Sequence, residues 1–283
     1  MRGSRSFTLS MKKPSGVCPV AFFFALSGGA FSWACPLLSV SMLAILCFLA
    51  ELYDGFLMAK CKMNTRTKIK ICGFTRSDDV RSAIDAGADA LGFVFYPPSP
   101  RYVSPAAAAQ LLAGLPPFVM SVGLFVNAGV DEVVAVLAQA PVQMLQFHGD
   151  ETVQQCHQIA NAVNRPFMRV FRVKPDTSAE DLLEYEAQCR AHGPLFSGLL
   201  LDTFVDSFGG SGKVFDWSLI PKELAPRVVL SGGLSVQNAT DAVSRVRPFA
   251  VDISSGVESA KGIKDAVKVH AFIAAVRLAD NQG

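Results

Sequence analysis

From Lys68 onward, apolar runs alternate with amphipathic stretches in a steady rhythm. The runs begin near Lys68, Ala90, Phe118, Val142, Pro166, Gly198, Arg227 and Phe249. They read KIKIC, ALGFVF, FVMSVGLFV, VQMLQFH, PFMRVFRV, GLLLDT, RVVLSGG and FAVDISS. Short, near-continuous apolar runs suit parallel strands covered on both faces. Between them the period becomes helical. Residues 77–86 carry Val80, Ala83 and Ile84, and Ser104 before Pro105 marks a helix start, because proline fits the first helical position. Residues 130–139 and 179–190 continue the series. Residues 262–278 are expected to close it, with Ile263, Ala266, Val267, His270 and Ile273 along one face. Eight strand–helix units in roughly 215 residues predict an α/β fold, a single (βα)8 TIM barrel. A doubly wound sheet is the alternative, but it seldom uses eight equal units without a Gly-x-Gly-x-x-Gly turn after its first strand.

A barrel places its chemistry at the C-terminal ends of its strands. The polar residues there are Cys72, Arg101 in the second loop, Asn127, Gln146 and His148, Arg172 and Lys174, Asp202, Ser231-Gly232-Gly233, and Asp252 with Ser254-Ser255-Gly256. Gly232, Gly233, Ser254, Ser255 and Gly256 form two turns after adjacent strands seven and eight. Barrels often hold phosphate there with backbone N–H groups, and glycine lets the backbone come close. Either turn alone is an ordinary Gly/Ser turn; the pair points to phosphate. The loop after strand six, residues 208–217, contains Gly209-Gly210-Ser211-Gly212 but lacks the Gly-Lys-Ser/Thr ending of a P-loop. It reads as a mobile active-site loop, with Trp217 starting the next helix.

Cys72 and Asp202 are the candidate catalytic pair. A lone cysteine is most often a small buried hydrophobe. Cys72, however, ends strand one with Gly73 directly after it, which puts the sulfur near the barrel mouth. A positive or phosphate-loop environment there can lower its pKa enough to supply thiolate, able to attack carbon or take a proton. Asp202 follows Gly198-Leu199-Leu200-Leu201, and a carboxyl in an apolar setting near phosphate holds its proton longer, as a general acid needs. Its plainer role is capping the following loop. Gln146, His148 and Asp252 are further pocket candidates. His148 ranks behind the pair as a base, and Asp252 is expected to orient a sugar hydroxyl or the strand-eight loop. No His and carboxylate cluster has metal-ligand spacing, so no metal is expected.

Half of the 283 residues are hydrophobic and 18% are charged, with the excess at the front, where no charge falls between Lys13 and Glu51. Residues 1–62 hold six basic and two acidic residues, which leaves the remainder slightly acidic. No basic face calls for nucleic acid. The front segment reads as a membrane span, a signal sequence or translated upstream sequence from a misassigned start. Pro19, Gly28, Gly29 and Pro36 divide it, and residues 37–50 fall short of the roughly 20 residues a span needs. Residues 63–283 have a compact length for the barrel. A misassigned start is the favoured reading and membrane association the less favoured, so the domains are expected as 1–62, a hydrophobic extension, and 63–283, the barrel. The cysteines at 18, 35, 47, 61, 72, 156 and 189 form no CxxC pair. Their odd count and irregular spacing fit a reducing compartment and a cytoplasmic protein.

Several segments together resemble the phosphoribosylanthranilate isomerase family of tryptophan biosynthesis. They are Lys70-Ile71-Cys72-Gly73, Ser99-Pro100-Arg101-Tyr102-Val103, Gln146-Phe147-His148-Gly149, Leu201-Asp202-Thr203, Gly209-Gly210-Ser211-Gly212 through Trp217, Ser231-Gly232-Gly233-Leu234 and Val251-Asp252-Ile253-Ser254-Ser255-Gly256-Val257-Glu258. The likeness covers about residues 66–279; the extension has no counterpart in it. It implies a barrel of the ribulose-phosphate-binding type and an Amadori rearrangement of a phosphorylated small molecule, without a cofactor. Asp202 would protonate the ribose ring oxygen, Cys72 would remove the C2 proton, Arg101 would hold the anthranilate carboxylate, and the Gly and Ser turns would hold phosphate. The chain is expected as a monomer or a homodimer. The histidine-pathway isomerase runs the same rearrangement but uses a carboxylate where Cys72 stands. Indole-glycerol-phosphate synthase would need a lysine acid at a strand end. A non-catalytic phosphate-ligand barrel tethered to a membrane is the alternative from another class, and intact Cys72 and Asp202 argue against it.

Overall fold

Eight strands pair in parallel in chain order: β1 (Lys68–Cys72), β2 (Ala90–Val94), β3 (Met120–Phe125), β4 (Met144–Phe147), β5 (Phe167–Val173), β6 (Phe196–Thr203), β7 (Val229–Leu230) and β8 (Ala250–Ile253). The ring closes where Lys68, Ile69, Lys70 and Ile71 of β1 pair with Ala250, Val251, Asp252 and Ile253 of β8. The computed structural model describes residues 66–203 and 214–282. The front segment 1–62 and loop residues 208–213 therefore lie outside the described residues. No helix among the described residues is long and apolar enough to cross a membrane.

Successive side chains of a strand point to opposite faces, and the barrel sorts them accordingly. Ile69, Ile71, Leu91, Phe93, Leu145, Phe147, Leu199 and Leu201 face outward into the main core beneath the helices. Val122, Met168, Val170, Leu200, Val229 and Ala250 fill the lower interior. Cys72, Val94, Leu124 and Val126 form a smaller apolar group with Tyr96 nearer the mouth.

The outer layer is α1 (Ser77–Ala86), α2 (Pro105–Leu112), α3 (Val130–Gln139), α4 (Val153–Val163), α5 (Ala179–Ala191), α6 (Ala239–Val246) and α7 (Ala266–Gln282). Ser104 caps α2 by accepting from Ala107 N at 3.2 Å, with Pro105 in the first turn, as its sequence signal predicts. Thr152 and Gln155 form a capping box that starts α4, and Ser178 and Asp181 do the same for α5.

Four local expectations change. The strand-three run was expected from Phe118, but that residue is fully exposed with a left-handed φ of 70°, and β3 starts at Met120. The sixth unit is not equal to the others: among the described residues, β6 and β7 are joined by 3₁₀ turns at Trp217–Leu219 and Ala225–Arg227, not by an α-helix. Pro221 and Pro226 explain this, since neither can continue a helical hydrogen-bond ladder. Trp217 thus opens a single 3₁₀ turn, capped by Asp216 accepting from Ser218 N at 2.9 Å. The last helix begins at Ala266, because Ile263–Lys264 (β10) pairs antiparallel with Glu258–Ala260 (β9). Its buried face is Val269, Phe272, Ile273, Val276 and Ala279, while Val267 is 78% exposed and His270 also faces out.

One buried network holds the β4 end of the mouth. Arg169, on the outward face of β5, donates to Phe147 O (3.0 Å), Glu151 Oε2 (3.2 Å), Gly149 O (3.2 Å), Glu151 O (2.9 Å) and Tyr185 Oη (3.0 Å). Glu151 accepts from Asn127 N at 2.6 Å and Gly149 N at 2.9 Å. Asn127, a polar strand-end residue, is thus a loop support: its Oδ1 accepts from Asp150 N at 2.7 Å. Arg172 pairs with Asp150 at the rim. The network fixes the turn that carries His148. Arg169→Met removes one partner of a buried pair and is expected to destabilise the fold by about 3 kcal/mol, the lower end for such a loss because Glu151 keeps its backbone donors. Urea unfolding followed by circular dichroism checks this, and a loss well below about 1 kcal/mol would show that the network carries little.

Candidate active site

Of the strand-end residues, all the candidate catalytic and binding groups line one pocket at the C-terminal mouth of the barrel, while Asn127, Arg172 and Lys174 lie outside it. Cys72, Arg101, Gln146, His148, Asp202, Gly232, Gly233, Asp252, Ser254, Ser255 and Gly256 all border it. Strand alternation explains why. Cys72 and Lys70 lie on the inward face of β1, Gln146 and His148 continue the inward face of β4, and Asp202 follows Leu200 on that of β6.

Cys72 is 5% exposed. Its register partner on β2 is Gly92, and a Cβ there would stand 2.6 Å from the sulfur, so glycine is what leaves Cys72 its space. Burial pushes the thiol above its ordinary pKa, with Lys70 and Lys264 pulling it down and Asp252 pushing it further up. The lowered thiol pKa that a positive environment can give is therefore not what the site shows: apolar enclosure outweighs the nearby cations.

On the other side of the mouth, Asp202 Oδ1 accepts from Thr203 N at 2.8 Å. Its Oδ2 lies 3.3 Å from His148 Nε2, within ion-pair distance but outside hydrogen-bond geometry. Gln146 Nε2 stands 3.3 Å from His148 Nδ1. In the tautomer in which that amide donates, Nδ1 is the acceptor and the ring N–H is at Nε2, facing Asp202. Gln146 Oε1 and Thr203 Oγ1 are buried without a hydrogen-bond partner among the described residues. Both residues line the pocket, where such atoms can meet ligand hydroxyls.

The turns after β7 and β8 also border the pocket, between Asp202 and Cys72. Gly232 and Gly233 take left-handed φ values of 79° and 67°. A Cβ on Gly232 would also approach Thr203 N to 2.5 Å, so any other residue is excluded twice over. Ser254 Oγ donates to Cys72 O at 2.9 Å, tying the second turn to the end of β1. A 3₁₀ turn follows at Ser255–Val257.

Three charged groups around the site escaped the reading of individual residues. Glu258 accepts from Arg101 Nε at 2.8 Å and Nη2 at 2.9 Å, and from Lys264 Nζ at 2.9 Å. Burial alone would raise the Glu258 carboxyl, but those two cations hold it below the usual value. The enclosed Lys264 ammonium is pushed down by burial, against the pull of Glu258. Arg101 thus presents to the pocket only what Glu258 leaves of its donor fork. Lys70 Nζ lies 2.7 Å from Asp252 Oδ1 inside the barrel. Asp252, expected to orient a hydroxyl or a loop, is first an ion-pair partner; Ser231 Oγ also donates to its backbone O at 3.2 Å. The apolar wall of Val94, Tyr96, Leu124 and Val126 was also missed, though the alternation of β2 and β3 carries its signal. Among the described residues, no three His, Cys, Asp or Glu side chains gather as a metal site requires.

The model of the N-(5'-phosphoribosyl)anthranilate isomerase family matches residues 69–275. A relative from Herminiimonas arsenicoxydans bearing that name is 72% identical over 215 residues, which cover 76% of this chain and 95% of the relative. One from Dechloromonas aromatica is 57% identical over 216 residues, 76% of this chain and 98% of the relative. The phosphoribosyl anthranilate isomerase structure from Thermotoga maritima superposes with a TM-score of 0.66 at 40% identity, covering 75% of this chain and 98% of that one. Another structure of the isomerase, in complex with reduced 1-(o-carboxyphenylamino)-1-deoxyribulose 5-phosphate, gives 0.63 at 38% identity over 75% and 98% of the two chains. With its barrel, its pocket and these relatives, the chain belongs to the N-(5'-phosphoribosyl)anthranilate isomerase family.

Proposed function

We propose that this chain converts N-(5-phosphoribosyl)anthranilate to 1-(2-carboxyphenylamino)-1-deoxyribulose 5-phosphate in tryptophan biosynthesis, with Cys72 as general base and Asp202 as general acid. The observation that carries this reading is the convergence of a thiol from β1, a carboxyl from β6, an arginine fork and two Gly/Ser turns on one pocket. Asp202 donates a proton to the furanose ring oxygen as the C1–O bond breaks, and the anthranilate nitrogen lone pair forms a C1=N iminium. Cys72, as thiolate, takes the proton from C2, and those electrons neutralise the iminium to give the enolamine. Loss of the C2 hydroxyl proton and protonation at C1 then yield the ketone. The substrate's own nitrogen accepts the electrons, so the sequence of steps is complete without a cofactor.

The remaining groups have positional roles in this reading. The backbone around Gly232, Gly233, Ser254, Ser255 and Gly256 takes the phosphate. Arg101 takes the carboxylate with the part of its fork that Glu258 leaves free. The apolar wall of Val94, Leu124 and Val126 suits the aromatic ring, and Gln146 Oε1 and Thr203 Oγ1 suit ribose hydroxyls. His148 steadies Asp202. We assign the activity to residues 63–283 and place the protein in the cytoplasm, as a monomer or a homodimer. One Thermotoga maritima relative is described as dimeric.

The full-length chain is to be assayed by loss of anthranilate-type fluorescence on substrate generated in situ, with indole-glycerol-phosphate synthase as coupling enzyme. Cys72→Ala and Asp202→Asn are each expected to lower kcat/KM by about 100-fold or more with unchanged circular dichroism, the scale of a lost general acid or base. Wild-type turnover by Cys72→Ala would remove the thiol from the mechanism. An inactive wild type that rescued a histidine auxotroph would overturn the substrate. Arg101→Met is expected to raise KM by about 10- to 100-fold, matching the roughly 1.5–3 kcal/mol of a hydrogen bond to a charged group. Steady-state kinetics that show only a kcat effect would contradict the carboxylate role.

A further inference from the structure

Below its mouth the barrel interior is filled by apolar side chains from β3, β5, β6, β7 and β8. Lys70 and Asp252 interrupt that filling. They are register partners across the β1–β8 seam, their charged atoms are 2.7 Å apart, and their side chains are 4% and 7% exposed. A buried ion pair is an inefficient way to join two strands. Each ion loses several kcal/mol of hydration, and apolar residues of similar size often serve as well or better. The surroundings of the pair suggest what it is for. Lys70 and Cys72 are two residues apart on one strand, so both point inward, with Cys72 one step nearer the mouth.

We infer that Lys70 is a positioning residue: its buried ammonium, anchored by Asp252 beneath Cys72, stabilises the Cys72 thiolate and sets how much base is present at neutral pH. The activity part of this inference rests on the reading of Cys72 as the base; the thiolate part does not. The charged groups around Cys72 are few. Lys70 stands on its own strand, Asp252 on β8, Lys264 on β10 and Arg101 in the loop after β2, and Asp202 and His148 border the pocket across the mouth. Lys264 and Arg101 are both engaged by Glu258. Of the groups that oppose burial at the thiol, Lys70 is the strongest, whereas Asp252 reinforces burial. Burial also works against the Lys70 ammonium, but Asp252 and Cys72 outweigh it and hold that group above the ordinary lysine value, so it stays charged. The two members of the pair therefore act on the thiol in opposite senses, so replacing each in turn should move it in opposite directions.

The test is an ultraviolet titration of thiolate in the full-length chain, each variant measured as the difference from the same variant carrying Cys72→Ala. Lys70→Met is expected to move the Cys72 midpoint up by about one pH unit or more, which is about tenfold less thiolate at neutral pH. The acid limb of kcat/KM should move with it, and Lys70→Arg should restore most of the shift. Asp252→Asn, nearly equal in size to the native residue, is expected to move the midpoint down. An unmoved midpoint in Lys70→Met overturns the inference. So does an upward or absent shift in Asp252→Asn, which decides the matter even if Lys70→Met fails to fold. If the midpoints move as expected while Cys72→Ala retains activity, the base assignment fails and the thiolate effect stands. If they do not move while Cys72→Ala is inactive, the base assignment stands and the role of Lys70 fails.

Discussion

The pairing of β1 with β8 is the constraint on which the rest of the molecule depends. Four register pairs join the first strand of the barrel to the last. Closure leaves the sheet no free edge and fixes the inward face of every strand. It also brings together residues that chain distance keeps far apart. Lys70 meets Asp252, and Ser254 reaches the backbone of Cys72, in both cases across 182 residues. The acid-side residues come from β4 and β6, separated from β1 around the ring, so a ligand in the mouth meets a thiol and a carboxyl from different directions. Cys72 and Asp202 cannot be brought to one pocket by local structure alone.

Within that frame the interior is graded. Aliphatic side chains fill the lower part, the Lys70–Asp252 pair stands between, and the mouth holds the polar groups that face a ligand. Several charges near the mouth are shared. Glu258 serves Arg101 and Lys264, Asp252 serves Lys70, and Glu151 serves Arg169 together with two backbone N–H groups. In an enclosed site an unshared charge is costly, and sharing fixes the direction in which each group presents its remaining donors or acceptors. Arg101 illustrates this: two of its donors are spent on Glu258, which orients what is left of the guanidinium.

Much of this was legible in the chain, for a physical reason. A parallel barrel strand has a two-residue period and a functional end, so period and position together point from KIKIC to Cys72 and from GLLLDT to Asp202. The same logic led to Gln146, His148 and the Gly/Ser turns. What was missed depends on partners distant in sequence. Nothing near Arg101 signals that Glu258, 157 residues later, will occupy its fork. The raised thiol of Cys72 could not be foreseen, because cations can be read from sequence while the extent of enclosure cannot. The sixth unit was misjudged although Pro221 and Pro226 were in plain view, because the regular rhythm of the other units argued for a helix. The start of α7 was misplaced because Ile263 and Lys264, read as its first turn, are drawn into a ribbon with Glu258–Ala260.

In the proposed reaction one substrate spans this mouth in a fixed orientation, phosphate to the turns after β7 and β8 and carboxylate to Arg101, with the reacting carbons between Cys72 and Asp202. A crystal structure of this chain with the reduced product analogue that is bound in a related isomerase tests it most directly. Phosphate oxygens are expected on the backbone around Gly233 and Ser255, the carboxylate on Arg101, and C2 facing the Cys72 sulfur. An analogue bound the other way round, or with C2 turned from Cys72, would contradict that orientation.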